Sequence, residues 1–246
     1  MKKPTPRQLI VVRKALITPH MMRVTLGGSQ MEGFPRDRAS ANCKLLLPSD
    51  DLKPAVRTYT VRRHRCESAE VDIDFVLHAD QGPASNWALS VEAGERVGFA
   101  GPGRAKLVNN NADWFLFAGD MSALPAISAN IEQLPQSAQG CALLEILAED
   151  DVQPLDFPEG LQVEWLVNPE PCKSGSALCD AVMARPWLPG RVAAWVAGES
   201  GTTKAIRRYL KQERNVPKED LYASGYWQIG LTEDRHQLVK REEAEG

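Results

Sequence analysis

The run Arg57–Arg62, with the sequence RTYTVR, combines two guanidinium groups, a tyrosine ring and two threonine hydroxyl groups in one predicted strand. Because side chains alternate between the faces of a strand, Arg57, Tyr59 and Val61 share one face and the other three residues share the opposite face. An arginine can bind a phosphate bidentately, and an aromatic ring can stack on a planar ligand. The run therefore suits a flat cofactor with a phosphate tail, although an ordinary exposed strand of mixed polarity would show the same pattern.

A second candidate motif lies between His78 and Ala88, in the sequence HADQGPASNWA. Gly82 permits a tight turn, and Pro83 is a residue type favoured at the first position of a helix. Ser85 and the N–H groups of the first helical turn could then bind a diphosphate. An ordinary capped helix would start in the same way, but the two motifs together are typical of a flavin site.

Two further candidates lie where predicted strands run into predicted helices. Gly119-Asp120 follows the strand 114–118, and Ser122 is expected to cap the next helix. Gly198–Thr203 joins another strand to a helix in the same way. Ligands of open α/β sheets bind at the carboxyl ends of the strands, so these turns predict a pyridine-nucleotide site. The first turn lacks a G-x-G-x-x-G fingerprint, and the second could be only a helix cap.

The elements that position the first two motifs are short, β-branched runs separated by Gly and Pro. Residues 84–91 are predicted as the helix of this half. Many short strands with little helix favour an antiparallel barrel or sandwich. The predicted strands are 8–18, 21–26, 44–47, 57–62, 71–78 and 96–100.

After Asn109 the pattern changes to apolar strands that alternate with helices, which indicates a parallel sheet covered on both faces. We therefore predict two domains, 1–108 and 109–246, the first a β domain and the second α/β. The predicted strands are 114–118, 142–148, 162–167, 192–197 and 221–225, and the predicted helices are 122–134, 174–183 and 202–213.

The composition excludes several classes of protein. The chain has 246 residues, a net charge of −3 and 25% charged residues, which describes a globular protein and argues against a dedicated nucleic-acid binder. No apolar stretch is long enough to span a bilayer, and the N-terminus does not resemble a secretory signal, so we expect a cytoplasmic protein. The five cysteines form no C-x-x-C pair, which argues against a disulfide framework, a zinc site and an iron–sulfur cluster, and no bound metal is expected.

Several motifs, in order, resemble the siderophore-interacting protein family, whose members are FAD-containing ferric-siderophore reductases of the ferredoxin-reductase-like superfamily. Besides the two motifs of the first half, they are Gly101-Pro102-Gly103, 118–127 (AGDMSALPAI), 195–200 (WVAGES), 207–210 (RRYL) and 224–230 (SGYWQIG). The resemblance covers nearly the whole chain. It implies an N-terminal antiparallel Greek-key β-barrel for FAD followed by a nucleotide-binding α/β domain.

The resemblance also implies roles for individual residues at the flavin. Tyr59 would stack on the isoalloxazine, Arg57 would hold the diphosphate, and Thr60 would sit near the flavin ring. Trp87 is as well explained by core packing. The remaining residues implied at the FAD site are His78, Gly82, Ala84 and Ser85.

At the nucleotide site, the resemblance implies contacts from Asp120, Gly198 and Trp227. The family commonly has an acidic residue where this chain has Met121, which leaves the contact at that position open. The resemblance favours NADPH over NADH as cosubstrate, whereas the acidic residues 149–151 would repel a 2′-phosphate if they lay close to it.

The expected activity is reduction of siderophore-bound Fe(III) with electrons from NAD(P)H through FAD, with no catalytic acid, base or nucleophile. Ferric siderophores are commonly anionic, so a basic cleft is expected. Lys44, Arg63, Arg65 and Arg104 lie near flavin-binding segments, and Lys44 and Arg104 match basic positions of the family. Two alternatives remain open: a reductase that exchanges electrons with a ferredoxin or flavodoxin, and a siderophore-binding protein without turnover.

Overall fold

The computed structural model describes residues 5–49, 53–78, 82–173, 177–236 and 238–239. The chain divides into two compact units. The first unit comprises Met1–Leu107 together with two short segments, Ser128–Glu132 and Gln153–Leu155, and the second unit comprises the rest of the chain. The two short segments could not be anticipated from composition, since they lie within the α/β part of the sequence.

The first unit is a closed antiparallel barrel of six strands in the order β1-β2-β5-β4-β3-β6. This confirms the predicted antiparallel barrel. One helix, α1 (Pro83–Ser90), lies between β5 and β6 in the chain. The strands are β1 (Arg7–Thr18), β2 (Met21–Gly27), β3 (Asn42–Leu47), β4 (Ala55–Arg65), β5 (Glu70–Val76) and β6 (Arg96–Ala100).

The barrel core is formed by alternate side chains of each strand, those that point into the barrel. In β3, for example, Cys43, Leu45 and Leu47 are buried while Asn42 and Lys44 are exposed, which is the alternation expected of a sheet with one buried face. The predicted β4, 57–62, is too short by two residues at its start and three at its end. Pairing with β5 extends it through His64 and Arg65, whose polar side chains gave no strand signal.

The second unit is a five-stranded parallel sheet with helices, as predicted. Its core contains Trp114, Leu116 and Val196 from the sheet and Ile206 and Leu210 from a helix. The strands are β7 (Trp114–Gly119), β8 (Gln139–Ile146), β9 (Gly160–Val167), β10 (Val192–Glu199) and β11 (Leu221–Trp227), and the helices are α2 (Leu124–Ile131), α3 (Ala177–Ala184) and α4 (Ser200–Gln212).

The strand order of this sheet is β11-β10-β7-β8-β9. From β7 the chain first adds β8 and β9 on one side and then returns to add β10 and β11 on the other. The direction of winding therefore reverses between β7 and β10. In open α/β sheets, the crevice at the carboxyl ends of strands at such a reversal is where ligands bind.

The start of α2 differs from the prediction. Ser122 was expected to be the N-cap of a helix over 122–134, but the helix begins at Leu124 and ends at Ile131. Asp120 takes the capping position instead: its Oδ1 accepts from the Ser122 N–H at 2.9 Å, and its carbonyl accepts from Ala123 and Leu124. Ser and Asp are both favoured caps, so local sequence alone does not distinguish them. In the predicted helix 174–183, residues 174–176 lie outside the described residues.

The described residues lack membrane-spanning helices and clusters of metal-binding side chains. Among them, no helix has the length and apolar character needed to cross a bilayer. Likewise, the described part of the chain brings no three His, Cys, Asp or Glu side chains into a group that could hold a metal ion. All five cysteines are thiols, and burial raises the pKa of Cys43.

Candidate functional site

Tyr59 lies on β4 with its ring packed against an aromatic column in the barrel. The ring centroids of Tyr59 and Phe75 are 4.4 Å apart, and those of Phe75 and Trp87 are 5.6 Å apart. Tyr59 itself is only partly buried, whereas Phe75 and Trp87 are buried. The tyrosine ring is therefore supported from behind and retains exposed surface for stacking. Trp87 belongs to the core, in agreement with the packing alternative.

The start of α1 is an open glycine turn beside β5. Gly82 precedes Pro83, the first residue of the helix, and a Cβ atom added at Gly82 would meet nothing within 4 Å. The Ser85 hydroxyl donates to the Val76 carbonyl at 3.1 Å, which ties the helix to the end of β5. Because that hydroxyl proton is already used, the backbone N–H groups of the first turn are the donors suited to an anion.

Two other residues implied at the FAD site are Arg57, which lies on β4, and His78, which follows β5. Arg57 is partly buried on β4, opposite Leu45 of β3, and its Nη1 donates to the Val56 carbonyl at 3.0 Å. His78 is exposed and lies just after β5. The next three residues of the predicted motif, 79–81, lie outside the described residues.

Thr60 is buried, in contrast to the partly exposed Tyr59 beside it. Two residues further along β4, Arg62 is also buried, and its guanidinium contacts both carboxylate oxygens of Glu132, one of them at 2.9 Å. Glu132 belongs to the Ser128–Glu132 segment of the first unit. This ion pair ties β4 to the Ser128–Glu132 segment, two residues beyond Thr60.

The two predicted substrate residues, Lys44 and Arg104, are exposed and lie on neighbouring parts of the barrel. Lys44 is on β3, and its Nζ donates to the Thr58 hydroxyl on β4 at 3.1 Å. Arg104 follows β6, and this loop is fixed to β3 by the Gly103 N–H, which donates to the Asn42 carbonyl at 2.8 Å. Lys44 therefore contacts β4 on the Thr58 face, opposite the face that carries Tyr59, and Arg104 lies in a loop held against β3.

The residues of the first unit fit a planar cofactor with a diphosphate. A supported ring with an exposed surface on β4 and an open glycine turn at a helix start are the two features that such a molecule requires. The Gly82 turn leaves the space in which a side chain would otherwise lie. The arrangement thus matches the chemistry of FAD.

In the second unit, the structure brings Asp120, Gly198 and Trp227 together at the carboxyl ends of β7, β10 and β11. Asp120 Oδ1 accepts from the Ser122 N–H at 2.9 Å and from the Ser122 hydroxyl at 2.5 Å. Its Oδ2 accepts from the Glu199 N–H and from Trp227 Nε1, both at 2.8 Å. We call Asp120, Ser122, Glu199 and Trp227 the Asp120 cluster.

Burial and hydrogen bonding act in opposite directions on the Asp120 carboxyl. Burial raises its pKa above the ordinary value, while the hydrogen bonds from Ser122, Trp227 and Glu199 lower it. The net shift is upward. Gly198 lets the carboxylate approach β10, because its φ of +137° suits glycine and a Cβ there would collide with Asp120 Oδ2.

Glu199 and Ser200 complete this edge at the start of α4. The Glu199 side chain caps the helix, since its Oε2 accepts from the Thr202 N–H at 2.8 Å. The Ser200 hydroxyl lies 3.0 Å from Nε2 of His236, a buried residue in the C-terminal segment. Capping, the simpler interpretation of the Gly198–Thr203 turn, is thus present in the structure.

Two residues at these sites, Glu132 and His236, were not identified from sequence, and Glu199 was predicted only as part of the Gly198–Thr203 turn. Glu132, Glu199 and His236 act through contacts with residues far away in the chain or, for Glu199, through a cap formed by an uncommon residue type. A carboxylate or imidazole that carries no motif gives no local signal for such a contact. For Glu199 the signal was its position between a predicted strand and a predicted helix, and the cap it forms is the alternative given for that turn.

Two family models match successive parts of this chain. The family model described as "Siderophore-interacting FAD-binding domain" matches residues 10–53 and 48–106. The model "Siderophore-interacting protein" matches residues 112–230. The first match spans the barrel and the second spans all five strands of the parallel sheet.

The similarity to individual relatives covers almost the entire chain. The ferric vibriobactin reductase ViuB of Vibrio cholerae serotype O1 is 35% identical over 94% of this chain and 92% of its own length. The crystal structure of the siderophore-interacting protein SipS from Aeromonas hydrophila is 31% identical, covers 98% of this chain and 99% of that chain, and superimposes with a TM-score of 0.88. The NADPH-dependent ferric-chelate reductase of Escherichia coli K12 is 27% identical over 90% of this chain and 92% of its own length.

Proposed function

Because the chain belongs to the siderophore-interacting protein family, we propose that it is a cytoplasmic flavoenzyme that reduces siderophore-bound Fe(III) to Fe(II) with electrons from NAD(P)H. The observation that carries this proposal is the supported, partly exposed Tyr59 ring on β4, in a domain that matches the family's FAD-binding model. The names of relatives such as ferric vibriobactin reductase supply the substrate class.

In this proposal the barrel residues hold FAD. The Tyr59 ring stacks on the isoalloxazine with Phe75 behind it, and Thr60 lies near the same ring. Arg57 and the first turn of α1 bind the diphosphate, the helix through backbone N–H groups rather than through the Ser85 hydroxyl. His78, Gly82 and Ala84 line the rest of the site.

When bound, FAD supplies hydride acceptance from NAD(P)H and one-electron transfer to Fe(III). The chain's own residues need only bind and orient the reactants, and no side chain has to act as acid, base or nucleophile. Each NAD(P)H carries two electrons and each Fe(III) takes one, so one nucleotide oxidised corresponds to two Fe(II) formed. Fe(II) is held more weakly than Fe(III) by siderophores and then dissociates.

The pyridine nucleotide binds at the carboxyl edge of the parallel sheet, where the winding reverses between β7 and β10. Asp120, Gly198 and Trp227 lie together at this edge, and in this proposal they line the nucleotide site. The relative from Escherichia coli is named as NADPH-dependent, which supports NADPH as the donor.

The anionic ferric siderophore is attracted by the exposed cations of the barrel. Two observations support Lys44 and Arg104 as these cations: both are exposed, and they lie on β3, the neighbour of β4, and in the loop held against β3. An exposed surface suits a bulky chelate better than a closed pocket would.

The test is anaerobic mixing of the FAD-loaded protein with NADPH or NADH and a ferric siderophore, with a chelator that captures Fe(II). We expect flavin absorbance to bleach with the nucleotide and to return when the ferric siderophore is added, with about two Fe(II) captured per nucleotide oxidised. A second arm replaces the chelate with oxidised ferredoxin or flavodoxin.

Three results would contradict the proposal. A protein that takes up no FAD would contradict the proposal that this chain is a flavoenzyme. Flavin that bleaches but yields no Fe(II) with any siderophore, while ferredoxin or flavodoxin is reduced, would favour a protein electron partner. Siderophore binding without any turnover would favour a binding protein.

A further inference from the structure

The Asp120 carboxylate has used its hydrogen-bonding capacity within the chain. Each of its two oxygens accepts two hydrogen bonds, from Ser122 on one side and from Glu199 and Trp227 on the other. An ionised carboxylate offers about four lone-pair positions, so all of them are occupied. Asp120 is therefore poorly suited to bind a ligand directly, although it lies at the edge where the nucleotide is proposed to bind.

Trp227 is fixed by the same contact. The indole has one donor, Nε1–H, and this donor is used by Asp120 Oδ2 at 2.8 Å. The residue is only partly buried, so the ring retains accessible surface at the end of β11. With its donor engaged, the indole can recognise a ligand only through its aromatic surface, which favours a flat ring.

The backbone is shaped to make this contact. The pairing of β10 with β11 is regular up to Gly198 opposite Gly225 and then shifts, so that Glu199 pairs with Trp227. The shift occurs where Gly198 adopts a φ of +137° and admits the Asp120 carboxylate. A local irregularity that re-aims a side chain at a strand end is a common feature of functional sites.

We propose that Asp120 is a positioning residue that holds the Trp227 indole as a fixed stacking surface for the nicotinamide nucleotide. This inference rests on the proposed function, in which the nucleotide binds at this edge. Trp227 touches the nucleotide, and Asp120 acts through Trp227.

A double-mutant cycle tests this coupling in the FAD-loaded, full-length protein. The variants are Asp120→Ala, Trp227→Phe and the two combined. Calorimetry gives the dissociation constants of NAD⁺ and NADP⁺, and steady-state kinetics gives KM and kcat for the reduced nucleotides. Phe keeps a ring but lacks the donor, so each single variant should weaken binding roughly threefold to tenfold and the double variant should be no weaker than either.

Two further variants separate positioning from general stability. Asp113 lies at the opposite end of β7 and its Oδ2 accepts from the Arg191 N–H at 2.6 Å, so Asp113→Ala removes a comparable bond away from the proposed site. It should lower Tm without changing nucleotide affinity. Asp120→Asn keeps one acceptor oxygen and should recover part of the affinity that Asp120→Ala loses.

Multiplicative losses in the double variant would overturn the proposal, because they would mean that the two residues act independently. A Trp227→Phe protein with wild-type affinity would also overturn it, and this result needs no folded Asp120→Ala protein. So would a wild-type protein that binds neither NAD⁺ nor NADP⁺. Normal nucleotide binding with coupled losses but no Fe(II) formation would count against the proposed function alone.

Discussion

A single aromatic side chain, Tyr59, links the barrel core to the proposed flavin site. Its ring contacts Phe75 at 4.4 Å between centroids, and Phe75 in turn contacts Trp87. The position of the ring is thus determined by the packing behind it rather than by the strand alone. Replacing the ring should affect cofactor binding more than folding, since Tyr59 is only partly buried.

We expect Tyr59→Ala to raise the dissociation constant of FAD about tenfold, which corresponds to about 1.4 kcal/mol of stacking. Tyr59→Phe keeps the ring and should bind FAD within about twofold of the wild-type protein. Flavin fluorescence on titration of apoprotein measures both values. Equal losses in the two variants would show that the hydroxyl, and not the ring, holds the cofactor.

Lys44 and Arg104 are the residues on which the proposed attraction of the anionic chelate depends. Lys44→Ala and Arg104→Ala should each raise KM for a ferric siderophore roughly threefold to tenfold, with FAD content unchanged. The effect should shrink as ionic strength rises, because salt screens exposed charges.

The matched control for the two cations is Arg96→Ala. Arg96 is exposed at the start of β6, whereas Arg104 follows its end. Steady-state kinetics at low and high salt compares all three variants. If Arg96→Ala raises KM as much as the others, the barrel attracts the chelate by its overall charge and the assignment of Lys44 and Arg104 is wrong.

Among the elements, β4 carries two residues proposed to lie at the flavin ring and the buried arginine of an ion pair. It carries Tyr59 and Thr60 and ends in a set of arginines, of which Arg62 is buried against Glu132. The Arg62 side chain is 5% exposed and the Glu132 side chain 24% exposed. A pair in this setting contributes little net stability as a whole, but removing one member leaves the other charge poorly solvated.

Glu132→Ala should therefore destabilise the protein by about 2 kcal/mol, less than the 3–5 kcal/mol typical of fully buried pairs. The combination of Arg62→Met with Glu132→Leu should recover much of this loss. Urea denaturation, monitored by flavin release, measures the change in the free energy of unfolding. Arg13, which pairs with Glu70 but is 52% exposed, provides the control, and Arg13→Ala should cost less than about 1 kcal/mol.

A double variant no more stable than Glu132→Ala would mean that Arg62 and Glu132 stabilise β4 by more than mutual charge compensation. A loss in Arg13→Ala as large as in Glu132→Ala would show that burial is not the relevant difference between the two pairs.

For the whole molecule, alternation of apolar residues predicted the strands, and the change of pattern after Asn109 predicted the two kinds of sheet. These features depend on neighbours in sequence. The Asp120 cluster could not be predicted, because Asp120 meets Glu199 and Trp227 across separations of 79 and 107 residues. The same holds for Arg62 and Glu132, 70 residues apart. The resemblance identified Asp120 and Trp227 as site residues but not their contact with each other.

The two units differ in how their carboxyl groups respond to acid. In the first unit, hydrogen bonds from Arg13 hold the pKa of Glu70 below its usual range, and burial of Asp72 is outweighed by bonds from Arg65 and Thr25, so that its pKa is also lowered. In the second unit, burial raises the pKa of Asp120 and of Glu145, while Arg191 lowers that of Asp220.

These shifts have opposite signs for stability. A lowered pKa gives stability that is present above the unfolded pKa of about 4 and is lost as the pH falls through the folded value. A raised pKa imposes a cost at neutral pH that is relieved as the pH falls through it. Acidification below about pH 4 should thus weaken the first unit on balance, while gains at Asp120 and Glu145 offset the loss at Asp220 in the second.

We therefore expect FAD to be released at a higher pH than that at which the second unit unfolds. Flavin fluorescence reports the first event. The wavelength of maximal tryptophan emission reports the second, because Trp87 is the only one of the six tryptophans in the first unit. Asp72→Asn, which removes one lowered pKa, should flatten the acid dependence of FAD release and leave the tryptophan transition in place. Coincident transitions, or tryptophan emission that shifts first, would show that the carboxyl pairs of the barrel do not control its response to acid.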